Sequence, residues 1–277
     1  RGLGDVYKRQ GLYVAEGGAY DGKIVERNAA GEEVRPLDIS ITKNVLGLFI
    51  NSAVLLVIMM SCVRWYKKHP LEDGAPKGGV GMIEATVLSI YNDVIKGCIG
   101  ENYRRYAPYL LTAFFFVLVN NLMGLIPIFP GGANVTGNIA ITLVLALCTF
   151  VLTNVYGTKA YWKEIFWPDV PTWLKAPIPM MPLIEFFGIF TKPFALMIRL
   201  FANIMAGHAA VLSLVAIIFI TVKSGPVING SMTVVSVAFS IFMDALEILV
   251  AFIQAYVFTM LSAVFIGLSQ VKEHAEK

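Results

Sequence analysis

The chain has 277 residues, of which 57% are hydrophobic and only 15% charged, against roughly 25% charged in an average soluble domain. Lys and Arg total 22 and Asp and Glu 19, a formal charge of +3, which is too small to suggest a nucleic-acid partner. A mean hydropathy of +0.69 excludes a soluble enzyme of this length and points to an all-α polytopic membrane protein.

In chain order, Arg1–Gln10 reads RGLGDVYKRQ. It has no apolar h-region and so is not a signal peptide. Asp5–Gln10 matches what a common sequencing-transposon end encodes. Residues 1–10 are therefore expected to be adapter read-through, with the native start and any cleaved leader missing. Residues 11–38 are polar, acidic and Gly-rich, and are expected to form an extracytoplasmic segment. A membrane domain is expected over 39–271 and a polar tail over 272–277. The first span is expected at Ile39–Val63. Arg64–Arg105 is basic, and Met82–Ile99 within it has a mixed helical periodicity that suits a helix at the membrane surface. The second span is expected at Tyr106–Ile128, a Pro/Gly turn at Phe129–Asn134 and the third span at Val135–Tyr156. Five prolines in Gly157–Pro182 predict a loop.

Two apolar stretches of about 40 residues follow, Leu183–Val222 and Ser231–Val271, separated only by Lys223–Gly230. As single helices each would be roughly 60 Å long at 1.5 Å per residue, twice the ~30 Å hydrocarbon core. Neither holds a polar turn at which to fold back, and Pro193 and Gly207 offer kinks rather than loops. The expected architecture is about five membrane helices, the last two long, strongly tilted and antiparallel. Three cysteines, Cys62, Cys98 and Cys148, are too scattered for a disulfide framework or a metal site, and neither a metal nor a cofactor is expected. Twelve Lys and Arg fall on the side of 64–105 and four on the other. The former is expected to be cytoplasmic, with the N-terminus outside and the C-terminus inside.

The two long helices carry Glu185, Lys192, Arg199, His208, Asp244 and Glu247. A charge at the bilayer centre costs at least ~2.5 kcal/mol on insertion scales, so such residues are functional candidates. Glu185 and Lys192 lie near the end expected to be cytoplasmic, where Lys192 can snorkel. Arg199 is too central for that. Arg199 and Asn203 share a face at i, i+4, as do Glu247 and Gln254 at i, i+7. An antiparallel register that sets Arg199 level with Gln254 also brings His208 within a turn of Glu247, making two polar pairs at once. A His–carboxylate pair can relay protons, because imidazole titrates near neutral pH. Arginine stays protonated, so Arg199 would instead be a fixed charge that ionises a passing carboxylic acid and blocks a straight-through leak.

The segment Thr191-Lys-Pro-Phe-Ala-Leu-Met-Ile-Arg-Leu-Phe-Ala-Asn-Ile-Met-Ala-Gly-His208 resembles the signature of subunit a of F-type ATP synthases. So does Glu247-Ile-Leu-Val-Ala-Phe-Ile-Gln-Ala-Tyr-Val-Phe258, and Asn121–Pro127 and Thr136–Thr142 resemble the family's middle spans. The resemblance covers roughly residues 39–271. It implies a bacterial inner-membrane stator subunit, without an active site of its own, that provides two proton half-channels against a c-subunit ring. The b subunits of the peripheral stalk and the whole F1Fo complex are the further partners it implies. By motif position Arg199 resembles the essential stator arginine and Gln254 its partner. Asn203, His208, Glu247 and Asn121 fall where the outer half-channel is lined, and Glu185 where the cytoplasmic one is.

Some relatives carry an acid where His208 stands and a histidine where Glu247 stands. The exchange keeps one imidazole and one carboxylate. A proton-coupled secondary transporter is the alternative, but it would show internal repeats and broken helices, and the halves of this chain show no self-similarity. An intramembrane protease would need a HExxH, Ser/His or paired-Asp site, and Asp244 is the only Asp in either long helix. No GxxxxGK[ST] motif is present, so any ATP chemistry belongs to partners.

Overall fold

The computed structural model describes residues 12–15, 24–27, 33–34, 42–69, 76–126, 135–167 and 180–270. Arg1–Gln10, the Phe129–Asn134 turn, Pro168–Pro179 and the tail after Gln270 lie outside them. The described residues fall into two compact units, one within 1–42 and the other within 43–277.

The first unit holds a three-stranded antiparallel sheet in the order β1 (Leu12–Val14), β2 (Ile24–Arg27), β3 (Glu33–Val34). Tyr13 stands opposite Val25 and Glu26 opposite Val34. Val25 and Ala15 are buried. The polar composition of 11–38 gave no warning of strands; the short β-branched run Ile24-Val25 between Gly-rich stretches was the available cue.

The second unit is all-helical. Its helices are α1 (Lys43–Lys68), α2 (Gly79–Ser89), the short α3 (Gly97–Ile99), α4 (Tyr103–Leu125), α5 (Ile139–Val155), α6 (Lys159–Phe166), α7 (Met180–Thr221) and α8 (Pro226–Ser269). A π-helical segment, Ile90–Lys96, links α2 to α3. Among the described residues four helical runs are long and apolar enough to cross a membrane, and α5 with α6, bent by 98° at their junction, makes a fifth if the pair is counted as one span. The polytopic α-helical architecture is therefore present.

α7 and α8 have 42 and 44 residues, about 63 and 66 Å at 1.5 Å each. α7 passes through Pro193 without a break. The turn is tighter than the polar linker suggested. A single 3-10 turn, Val222–Ser224, leads to Gly225 at φ 103°, and Pro226 opens α8. That backbone angle suits glycine, and a proline in the first helical turn forgoes no hydrogen bond. Asn229 and Gly230, read as linker, lie inside α8. There the Asn229 side chain accepts a hydrogen bond from Thr221 Oγ1 at 2.9 Å across the turn.

α8 buries Ala251, Gln254, Ala255, Phe258, Thr259, Ser262, Ala263 and Ile266, a three-and-four spacing that makes one face. Most are small, which lets helices approach closely in lipid. Against this face pack Leu110, Phe114 and Val117 of α4 and Leu196 and Leu200 of α7. Large apolar side chains elsewhere, such as Phe49 and Leu56 of α1, Phe219 and Ile220 of α7 and Val234 of α8, are exposed, as lipid or partner contact requires.

The 82–99 segment departs from expectation. Met82 and Leu88 are exposed, but Ile90, Val94, Ile95 and Ile99 are buried in the bundle core. The π-helical turn widens the helix and re-aims its apolar face inward, so the segment packs against α4 and α8 rather than lying free. The loop expected over 157–182 also contains α6, capped by Thr158 Oγ1 accepting from Tyr161 N–H at 3.3 Å. That cap and the i, i+4 pair Tyr161/Ile165 were the missed signals.

The ends of three elements meet at Gln270. Its Nε2 donates to the Tyr156 carbonyl at 2.7 Å, and its Oε1 accepts from Asn102 Nδ2 at 3.3 Å. Thr158 N–H donates to the Ser269 carbonyl at 2.9 Å. One turn back, a Cβ placed on Gly267 would overlap the Cys98 carbonyl. Gly267→Val should thus lower stability by about 1–3 kcal/mol, measured as the unfolding free energy of the detergent-solubilised protein. Gly230→Ala has open space around it and should be neutral or stabilising by about 0.5–1 kcal/mol.

Candidate functional site

Five of the seven residues singled out in the sequence line one cavity. It lies between α4, α7 and α8, is partly open, spans about 360 Å³ with its open mouth included, and is lined by Asn121, Asn203, His208, Glu247 and Gln254 together with apolar neighbours such as Leu125, Ile204 and Val250. Its place follows from local packing. Ala251 and Ala255 keep α8 close to its neighbours on either side of Gln254, and Gly207 removes a side chain where α7 meets Glu247. A Cβ on Gly207 would overlap the Glu247 carboxylate, so the acid lies flush against the α7 backbone.

His208 Nδ1 and Glu247 Oε2 are 3.9 Å apart. That is ion-pair range when the ring is protonated, and too long for a hydrogen bond. The Glu247 side chain is 13% exposed and that of His208 32%, so the imidazole is the more accessible of the two. The pairing of His208 with Glu247 expected from the register is present.

The pairing expected for Arg199 with Gln254 is not. Gln254 Oε1 instead accepts from Asn203 Nδ2 at 2.8 Å. Asn203, one turn from Arg199 on the same face of α7, takes the place expected of the arginine, while Gly207 and His208 still meet Glu247 close to the expected level. Arg199, half-buried, has no ion pair or hydrogen bond among the described residues. It stands one turn from Asn203 on the same face of α7 but does not line the cavity.

Glu185 lies apart from this group, 14 residues from Arg199 and about 21 Å along α7. It is half-buried and stands on the same face, since 14 residues bring the helix back to within about 40°. Lys192, midway, places Nζ over the Phe265 ring at 5.9 Å from its centroid. Glu185, Lys192, Arg199 and Asn203 therefore form one polar row along α7, and His208 with Glu247 lie beyond its end, toward the α7–α8 turn.

Three buried polar atoms around the cavity have no hydrogen-bond partner among the described residues: Asn121 Oδ1, Glu247 Oε1 and Gln254 Nε2. Two accept and one donates. Asn121 is held by its other end, with Nδ2 donating to the Ala251 carbonyl at 3.3 Å. Such a set suits bound water, which needs two to four polar partners and bridges groups nearly as well as a direct hydrogen bond. Sequence reasoning missed two further polar groupings. Tyr109 OH, Thr149 Oγ1 and Ser262 Oγ form a chain at 2.8 and 3.2 Å, and Asn51 is bonded to Asn120. An asparagine in the middle of an apolar span was the signal for the latter. Among the described residues no group of His, Cys, Asp and Glu is arranged to hold a metal ion.

The family profile described as "ATP synthase A chain" matches residues 46–267. A protein of Chlorobium phaeobacteroides (strain DSM 266 / SMG 266 / 2430) named "ATP synthase subunit a" is 47% identical over 269 residues, covering 92% of this chain and 75% of that protein. One of the same name from Chloroherpeton thalassium is 45% identical over 245 residues, 87% of this chain and 70% of its own. A third, from Myxococcus xanthus, is 39% identical over 244 residues, covering 86% and 75%. Residues 39–277 are 239 of the 277, so a match over 92% of the chain extends into the N-terminal segment.

A water-filled cavity can be told from a dry one by thiol chemistry, since the thiolate that reacts forms only where water reaches it. In a background lacking Cys62, Cys98 and Cys148, Ile204→Cys and Val250→Cys should react with a water-soluble thiosulfonate in membranes. Phe219→Cys and Ile241→Cys, on exposed apolar faces, should not.

Proposed function

Since the chain belongs to the ATP synthase A chain family, we propose that it is the stator half of the proton path of an F-type ATP synthase, with Arg199 as its fixed charge. Its membership and its apolar helices make it a multi-pass bacterial membrane protein of proton transport and ATP synthesis, working within a multisubunit complex. The finer assignment is ours. The observation that carries it is the arrangement along α7 and α8: an arginine without a partner among the described residues at one level, a polar cavity that begins one turn away at Asn203, and a His–carboxylate pair about two and a half turns away.

On this reading the partners are a ring of c subunits, the b subunits of the peripheral stalk and the rest of F1Fo. Protons enter from outside through His208 and Glu247 and pass by the water held among Asn121, Asn203 and Gln254. They then neutralise a carboxylate on the ring. After the ring turns, they leave on the cytoplasmic side along the face that carries Glu185. The Lys and Arg distribution supports that orientation, N-terminus outside and C-terminus inside.

Arg199 keeps the two paths apart. At ~4 Å and an effective dielectric constant of ~20, its attraction for a carboxylate is about 4 kcal/mol. That is about three pKa units at 1.36 kcal/mol each, enough to match the upward shift of up to 3–5 units that burial imposes on an acid. A ring carboxylate passing Arg199 is therefore held ionised, whereas one facing lipid stays neutral. The guanidinium itself carries no proton across, because it does not deprotonate.

The test is ATP-driven proton pumping in inverted vesicles from cells that express this chain with its own c and b subunits. Arg199→Ala should reduce pumping to background while passive leak through the membrane sector is retained or raised. Pumping by Arg199→Ala at the parent rate would show that Arg199 is structural and would end this assignment.

A further inference from the structure

α1 stands at the margin of the helical unit. Of its 26 residues only Gly47 and Asn51 are buried, while Phe49, Leu56 and Val57 face outward. Asn51 is 1% exposed, and its Nδ2 donates to Asn120 Oδ1 on α4 at 2.9 Å. Asn120, also 1% exposed, donates in turn from Nδ2 to the Phe116 carbonyl of its own helix at 2.7 Å. The Asn120 amide is thus engaged on both of its ends, once by α1 and once by α4.

The next residue is Asn121, turned about 100° around α4, where it lines the polar cavity and donates to the Ala251 carbonyl of α8. Two consecutive asparagines therefore tie one level of α4 to α1 on one flank and to α8 on another. The coupling is geometric. Side chains extend to about 5–6 Å from a helix axis, so a 20° rotation of α4 displaces the Asn121 amide by roughly 2 Å. A shift of that size breaks a hydrogen bond.

We propose that Asn51 is a positioning residue for the proton path. Through Asn120 it sets the rotation of α4 at the level where Asn121 meets the cavity, although α1 contributes no residue to the cavity's lining. This rests on the assignment of Asn121 to the outer path made above.

The experiment measures ATP-driven pumping per assembled complex, with assembly quantified by immunoblot of the same membranes. Asn51→Leu keeps the bulk and removes the amide. It should slow pumping about threefold to tenfold, the range carried by interhelical hydrogen bonds in membranes. Asn51→Gln, which restores an amide, should recover part of the rate. On an Asn121→Ala background, Asn51→Leu should cause no further loss, because coupled residues are non-additive. Equal fold losses on both backgrounds, or a parent-like rate for Asn51→Leu, would overturn the proposal while leaving the path intact. If Asn121→Ala pumps like the parent, the assignment of Asn121 fails and the proposal falls with it. Should Asn51→Leu not assemble, Asn51→Ser, which is smaller and cannot span to Asn120, carries the same comparison.

Discussion

Two apolar helices, each about twice as long as a bilayer is thick, are joined by a turn so short that they must lie along one another. That constraint organises the rest. A polar group on either inner face meets the partner helix or meets nothing, and an unmet one in hydrocarbon costs several kcal/mol. The solution differs along the pair. Near the turn Thr221 bonds to Asn229. Further along, Glu247 seats over Gly207 beside His208. Then Asn203 bonds to Gln254, and nearest the far end Lys192 lies over Phe265. In the first three of these contacts the smaller partner, Thr221, Gly207 or Asn203, belongs to α7 and the larger, Asn229, Glu247 or Gln254, to α8.

The same constraint separates two kinds of charge. His208 and Glu247 are titratable side chains, and they border the cavity. Arg199 keeps its proton, and it stands outside the cavity without a counter-charge among the described residues. An uncompensated arginine within an apolar segment has a large incentive to meet an anion from elsewhere. On the proposed assignment that anion is the ring carboxylate, and the lack of an internal partner is what leaves the guanidinium available to it. Had the helices packed in the register that pairs Arg199 with Gln254, the arginine would have been partly occupied.

Much of this was legible in the sequence, and the limits of legibility are physical. The long antiparallel pair followed from apolar length and from the lack of a polar turn inside either stretch. The His208–Glu247 pairing followed from aligning the two helices antiparallel. That Gln254 takes Asn203 rather than Arg199 as its partner was not legible, because the two lie one turn apart on the same face of α7 and periodicity does not choose between them. The π-helical turn at Ile90–Lys96 leaves no trace in a 3.6-residue period, because its apolar residues fit no single face of an α-helix. The N-terminal strands are short and lie in a polar, Gly-rich stretch whose composition hides the Ile24-Val25 run. An isolated amide such as Asn51 in an apolar span is informative only once its neighbour on another helix is known.

The cluster at Gln270 bears on how the long pair withstands force. α8 is held at its start by the tight turn to α7 and at its end by the side chain and backbone bonds that Gln270 and Ser269 make to Asn102, Tyr156 and Thr158. A bar fixed at one end swings under a sideways push, whereas one fixed at both ends yields much less at its middle. The middle of α8 is where Glu247 and Gln254 stand. Any load that reaches this helix from a moving neighbour is therefore shared between two anchorages some 60 Å apart, at about 1.5 Å per residue, and the spacing of the polar groups between them is kept under strain.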